Sequence, residues 1–307
     1  ITCRDCPYSC AYCYNHSWKQ MFKTETNFMQ KRSVGSVISE IRSLKDRYLL
    51  RKIMFVDDNF LFHKDWVFEF CEQYRKEIGL PFLCCFSLNL LDECLLERLK
   101  AAGLWMVTFA IESADPTVQK TVLNRGHVSN NQIIKALSLL KKYGIKCRMQ
   151  NMIGLPLQDS IGDALNTLAF NKRHKVADSW VSIFQPYPNT ALAEYTLRNG
   201  FCDSIENSYA DSFFDRTHLN IENAEKINRL QKWWYFIVRY GISKANVRIL
   251  LEIPIDELAL RSLQDLRFEY SRKYLYDIAE SIVSLKHNWQ RIEMELLERK
   301  NFPIVAP

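Results

Sequence analysis

Residues 131–156, NQIIKALSLLKKYGIKCRMQNMIGLP, change period midway. Ile133, Ile134, Leu137 and Leu140 recur at three- and four-residue intervals, which puts them on one face of a helix. The pattern stops at Gly144, a residue type that closes helices in the left-handed conformation, and residues 146–152 then read as a strand. A helix that ends on glycine and feeds a strand is half of a βα repeat, and the cadence recurs outward from it. Strands are expected at 52–56, 82–86, 106–111, 146–152 and 180–184. Val34, Val37, Ile38, Ile41 and Leu44 repeat the helical spacing, and Gly103 precedes 106–111 much as Gly144 precedes 146–152. With one more strand expected just before Cys3, the count is about six βα units, fewer than the eight of a closed barrel. The fold expected over residues 1–200 is therefore α/β, a partial (β/α)6 TIM-like barrel. Residues just after its strands, Asp57, Ser87, Glu112, Gly154 and Gln185, should converge on one cleft.

Beyond Gly200 the cadence stops. Residues 201–223 form a polar connection without Gly or Pro, and 224–240 and 270–299 read as helices, the first with Ile227, Leu230, Trp234 and Ile237 on one stripe. Residues 201–307 are expected to be a helical extension. The 307 residues are 48% apolar, enough for a sizeable core. The net charge of +6 is scattered without a run of like charges, so nucleic acid is permitted but not indicated. No stretch reaches the ~18 apolar residues needed to cross a bilayer, and a soluble protein is expected. None of the nine glycines stands in a G-x-G arrangement, which excludes a Rossmann fingerprint and a P-loop. Ile1 runs into a polar, Cys-rich segment with no initiator Met or signal-peptide pattern, so a segment upstream is expected.

Four of the ten cysteines, Cys3, Cys6, Cys10 and Cys13, crowd the first thirteen residues. Clustering at one end points to metal and not to a disulfide framework. Cys6, Cys10 and Cys13 form C-x-x-x-C-x-x-C within CPYSCAYC. Three thiolates at this spacing can hold three irons of a cubane cluster and leave the fourth open to a chelating small molecule. Zinc competes, but a structural zinc site wants four ligands, usually as two pairs. No second C-x-x-C follows, so Cys3 or His16 would have to complete it.

Residues 6–13, with Tyr12 just ahead of the last cysteine, resemble the signature of the radical S-adenosylmethionine (SAM) superfamily. CPYSCAYCYN and the motifs downstream are similar to the branch whose members often carry an amino-terminal cobalamin-binding domain, over about residues 2–201. The resemblance implies a [4Fe-4S] cluster on Cys6, Cys10 and Cys13, with SAM chelating the open iron. One electron then cleaves SAM to a 5′-deoxyadenosyl radical that activates a substrate C–H bond.

Individual residues carry over as well. VDDNF resembles the segment that places Asp57, Asp58 and Asn59 near the methionine amino group, where a carboxylate or carbonyl answers a cationic amine; a helix N-cap is the other reading for Asp58 or Asn59. FAIESAD resembles the turn whose polar side chains, here Glu112 and Ser113, reach the ribose or the amino acid moiety. A carboxylate closing an apolar strand is costly to bury unpaired. Arg125 in LNRGH is similar to a basic residue near the SAM carboxylate, a surface arginine being the alternative. NMIGLP resembles a motif whose backbone packs on the adenine, which puts Ile153 and Gly154 there, glycine allowing close approach. Gln185 opens QPYPNT, similar to the segment after the last strand, with Asn189 where glycine is usual; asparagine tolerates a left-handed backbone. Ser87 rests on its strand-end position alone.

The implied activity is cobalamin-dependent methylation, or a related rearrangement or cyclisation, of a small-molecule substrate. Cobalamin would come through the upstream domain, and electrons from a flavodoxin- or ferredoxin-type donor. A thiolate cluster argues for oxygen sensitivity and a reducing cytoplasm. Two other readings stay open: a zinc-stabilised RNA-binding module, and a tRNA-modifying radical SAM enzyme, which would normally carry a further RNA-binding domain.

Overall fold

The computed structural model describes residues 1–3, 6–21, 31–255 and 263. After α1 (Tyr14–Met21) and α2 (Val34–Arg47), strands and helices alternate: β1 (Ile53–Phe55), α3 (Lys64–Glu77), β2 (Phe82–Cys85), α4 (Glu93–Ala102) and β3 (Leu104–Glu112). The run continues through α5 (Asn130–Lys142), β4 (Lys146–Ile153), α6 (Ser160–Arg173), β5 (Asp178–Ile183) and α7 (Ala191–Arg198), then α8 (Ala224–Tyr240) and α9 (Lys244–Glu252). The strands pair in parallel in chain order, β1-β2-β3-β4-β5, and the sheet does not close. Parallel neighbours need a crossover, and a helix supplies each one. The open α/β barrel read from the sequence is thus present, with strand ends displaced by one or two residues. Residues 1–254 form one compact unit.

The strand placed just before Cys3 is not among the described elements, where Cys3 instead makes a single antiparallel bridge with Lys31. The helix expected over 270–299 lies outside the described residues. Sequence periodicity also missed α9, a short helix started by Ser243, whose side chain accepts from the Asn246 amide.

Alternation of side chains along each strand divides the sheet's two faces. On the helix-covered face, Phe55 of β1 and Phe82 of β2 pack with Phe60, Phe70 and Tyr74, ring centroids 4.9–6.3 Å apart. The other flank is covered by α6 and α8. Fully buried Trp234 donates through Nε1 to Ser179 Oγ at 2.7 Å, Ser179 donates to Asn171 Oδ1 at 2.7 Å, and Asn171 Nδ2 donates to Asn151 Oδ1 at 2.7 Å. Buried polar groups are tolerated in a core when paired in this way. Gly103 and Gly144 end their helices at φ +112° and +60°, as the sequence requires.

Gly154 follows β4 at φ +71°, and a Cβ there would stand 3.1 Å from Ile227 Cγ2 and 3.4 Å from Ile183 Cγ2. The glycine thus lets α8 close over β5. Gly154→Ala is expected to destabilise the chain by about 1–3 kcal/mol, from overpacking and left-handed strain together. Urea unfolding checks this, and an unchanged midpoint would contradict it.

Candidate active site

The cysteine loop lies at the carboxyl end of the sheet. Cys13 N donates to Cys10 O at 3.0 Å, and Lys19 of α1 donates to Cys6 O and to Tyr8 O. Cys6, Cys10 and Cys13 line one cavity of about 240 Å³ together with Asp58, Asn59, Ser87 and Arg125. Strand register builds its floor. Cys85 of β2 sits beside Thr108 of β3, and Ala110 of β3 beside Gln150 of β4, all facing the cavity. Burial raises the Cys6 thiol above its ordinary pKa and pushes Cys13 up to about 11, so ligation by these thiols releases protons.

Asn59 is almost wholly buried; its Oδ1 lies 3.5 Å from the Ser87 amide, and its Nδ2 has no partner among the described residues. Ser87 Oγ donates to Asn89 Oδ1 at 2.7 Å, and Asn89 Nδ2 donates to the Tyr8 hydroxyl at 2.6 Å. Tyr8 in turn stacks on His127 at 3.7 Å. Burial, then the Arg125 charge, lowers the His127 pKa to about 4, which leaves the ring neutral near pH 7.

Glu112 closes β3 at φ +62°, where a register shift turns its side chain inward. Its Oε1 accepts from the Tyr12 hydroxyl at 2.9 Å, and Arg125 donates to that hydroxyl at 3.3 Å and to Ala110 O. Burial raises the Glu112 pKa while Arg125 and Tyr12 pull it down. Burial likewise lifts Tyr12 well above an ordinary phenol. Arg125 answers the buried carboxylate, and its Nε remains without a partner among the described residues. Glu112 thus stands one contact behind the cavity wall.

The other residues read from the sequence are engaged elsewhere. Asp57 Oδ1 accepts from Thr2 N, Thr2 Oγ1 and Cys3 N at 2.8, 2.7 and 2.5 Å. Ser113 Oγ donates to Asp163 Oδ1 at 2.5 Å. Gln185 accepts from Ala210 N at 2.8 Å and donates to Arg216 O at 3.1 Å, which fixes the 201–223 connection. Ile153 is buried in the core under α8, and what approaches Gly154 is Ile227. Tyr8, Cys85, Thr108, His127 and Gln150 line the cavity without having been singled out. Strand alternation could have found Thr108 and Gln150; for Tyr8 and His127 the sequence holds no signal.

The donor set fits a cluster with a small polar ligand. The three cysteines line the cavity with Asn59, Arg125 and His127, each of which has one buried polar atom without a partner among the described residues. Among the described residues no three His, Cys, Asp or Glu side chains converge on a point that a single metal ion could occupy. Nor is any described helix long and apolar enough to cross a membrane.

The chain thus combines an open parallel α/β sheet with a three-cysteine loop over its strand ends, the architecture of a partial barrel. The family model described as Radical SAM superfamily matches residues 1–168, and the chain belongs to that superfamily. It is 26% identical over 205 residues to an uncharacterized methyltransferase of Pyrococcus horikoshii, covering 65% of this chain and 42% of that protein. It is also 26% identical over 216 residues to the cytidylyl-2-hydroxyethylphosphonate methyltransferase of Streptomyces wedmorensis, covering 68% and 39%. The chain therefore spans about two fifths of the length of these curated relatives. Its fold is similar to that of the radical SAM methyltransferase TsrM from Kitasatospora setae, solved with cobalamin and a [4Fe-4S] cluster bound (TM-score 0.54, 15% identity, 68% of this chain and 37% of that one). It is similar also to methylornithine synthase, PylB (TM-score 0.53, 14% identity, 82% and 66%).

Asp163, the partner of Ser113, has Oδ2 buried and unpaired among the described residues, and burial raises its pKa from 3.8 to about 6. The folded state holds this proton more tightly than the unfolded state, so stability falls as pH rises from about 4 to 6. Asp163→Asn keeps an acceptor for Ser113 and is expected to remove that slope, gaining on the order of 2 kcal/mol at pH 7. Urea titrations between pH 4 and 7 check it; an unaltered slope would contradict the assignment.

Proposed function

We propose that this chain reductively cleaves SAM at a [4Fe-4S] cluster held by Cys6, Cys10 and Cys13, and directs the radical at a small-molecule substrate in a cobalamin-dependent methyl transfer. The observation that supports this best is one cavity lined by the three cysteines and by Asn59 and Arg125, each of the latter with a buried polar atom unpaired among the described residues. When bound, the cluster supplies the electron that breaks the carbon–sulfur bond.

The residues of the chain bind and orient. Arg125 meets the SAM carboxylate with its guanidinium, while Asp58 and Asn59 lie toward the ammonium group. Ser87 lines the same wall. Tyr12 and Glu112 hold the Arg125 guanidinium in place, and the floor of buried Phe86 and Phe109 with half-buried Ala110 limits water around the sulfonium. Residues 1–200 carry this chemistry and 201–307 form the extension. In this reading cobalamin, which TsrM was solved with, is held by an upstream domain, and electrons come from a flavodoxin- or ferredoxin-type donor in a reducing cytoplasm.

Anaerobic reconstitution with iron and sulfide, then reduction by dithionite in the presence of SAM, is expected to yield 5′-deoxyadenosine, and Cys10→Ala is expected to abolish it while leaving the fold intact. Tight zinc binding with no iron uptake and intact SAM would overturn the reading. Glu112→Gln is expected to weaken SAM binding by about 1–3 kcal/mol, since it removes the charge that holds Arg125. Titration of SAM onto the reconstituted protein measures this, and an unchanged affinity would remove Glu112 from the site.

A further inference from the structure

Residues 123–127, LNRGH, touch the cysteine loop at four places. Leu123 O accepts from Ala11 N at 2.9 Å, and Asn124 Nδ2 donates to Ser9 O at 2.8 Å. Arg125 donates to the Tyr12 hydroxyl at 3.3 Å, and the His127 ring lies on the Tyr8 ring with planes 3° apart and centroids 3.7 Å apart. Between them these contacts engage Tyr8, Ser9, Ala11 and Tyr12, on either side of Cys10. From the opposite side Ala11 O accepts from Leu192 N at the start of α7, at 2.8 Å.

The segment that makes these contacts is itself held in shape. It follows a single π-helical turn, Val118–Val122, a geometry that is rare and frequently found at functional sites. Leu123 N donates to Val118 O at 3.0 Å, Arg125 N to Gln119 O at 2.6 Å, and the buried Gln119 side chain to Ser113 O at 2.5 Å. Asn124 takes φ +49°, a left-handed conformation that asparagine adopts more readily than most residues. One rigid segment therefore faces the cysteine loop along residues 8–12.

We propose that residues 123–127 are a template that holds the cysteine loop in its ligating shape before iron arrives, with Asn124 and the face of the His127 ring as positioning residues. Ligands fixed in advance lose less conformational freedom on binding, so cluster uptake and retention depend on contacts that do not themselves touch iron. The inference rests on the reading that Cys6, Cys10 and Cys13 ligate the cluster. Its structural half is open to test without iron.

The test is hydrogen exchange at the Ala11 amide in the iron-free full chain, with the Met149 amide of β4 as the reference for global opening. Asn124→Gly and His127→Ala are each expected to speed exchange at Ala11 about tenfold, the size of one hydrogen bond or one ring contact, with Met149 unchanged. After reconstitution, iron loss to a chelator should accelerate by a similar factor, and His127→Phe, which keeps the stacked face, should match the wild type in both measurements. Four results would overturn the template: free-peptide exchange at Ala11 in the wild type, no change in the variants, equal acceleration at Met149, or His127→Phe behaving like His127→Ala. Failure of the wild type to take up iron would instead count against the proposed function, and the exchange comparison would still decide the template.

Discussion

One carboxylate oxygen, Asp57 Oδ1, accepts three hydrogen bonds from Thr2 and Cys3 and so ties the chain entering the cysteine loop to the end of β1. The tie is charge-assisted and buried, the setting in which such bonds are strongest. A three-thiol site without regular structure can reach a defined geometry only when rigid neighbours hold it. Here the sheet supplies the neighbours: Asp57 at β1, Leu192 at α7 and the turn after β3. Loops that carry function on a rigid scaffold are the general rule.

Electrostatics links this loop to the ligand cavity. Glu112 is buried at the end of an apolar strand, an arrangement that holds only because Tyr12 donates to it and Arg125 stands near. Arg125 is thereby fixed at the cavity wall with Nε unpaired among the described residues, and burial, helped by the same guanidinium, keeps His127 neutral. Tyr12 joins the cysteine loop to this buried pair, because its neighbour in sequence is Cys13 and its neighbours in space are Glu112 and Arg125.

The fold was legible where a signal accumulates over many residues. Periodicity placed β1 to β5 within one or two residues, and Gly103 and Gly144 marked their helix ends through a backbone conformation that other residue types rarely adopt. α9 escaped because a nine-residue helix carries too few repeats and its signal is the single Ser243 cap. That Cys6, Cys10 and Cys13 would come together was legible because they lie within eight residues of one another. Strand-end position says which end of the sheet a residue occupies but not where its polar atoms are engaged. Asp57, Ser113 and Gln185 accordingly sit at strand ends yet serve neighbouring chain. The Tyr8–His127 stack joins two loops distant in sequence, and no local pattern encodes it.

The central claim is that three cysteines of this loop leave one iron of a cubane open to SAM. Mössbauer spectroscopy of the chain reconstituted with iron-57, before and after addition of SAM, tests it most directly. The account predicts that one iron in each cluster changes its isomer shift on addition of SAM while the other three stay as they were. A spectrum indifferent to SAM, or one of isolated tetrahedral iron without sulfide bridges, would contradict it.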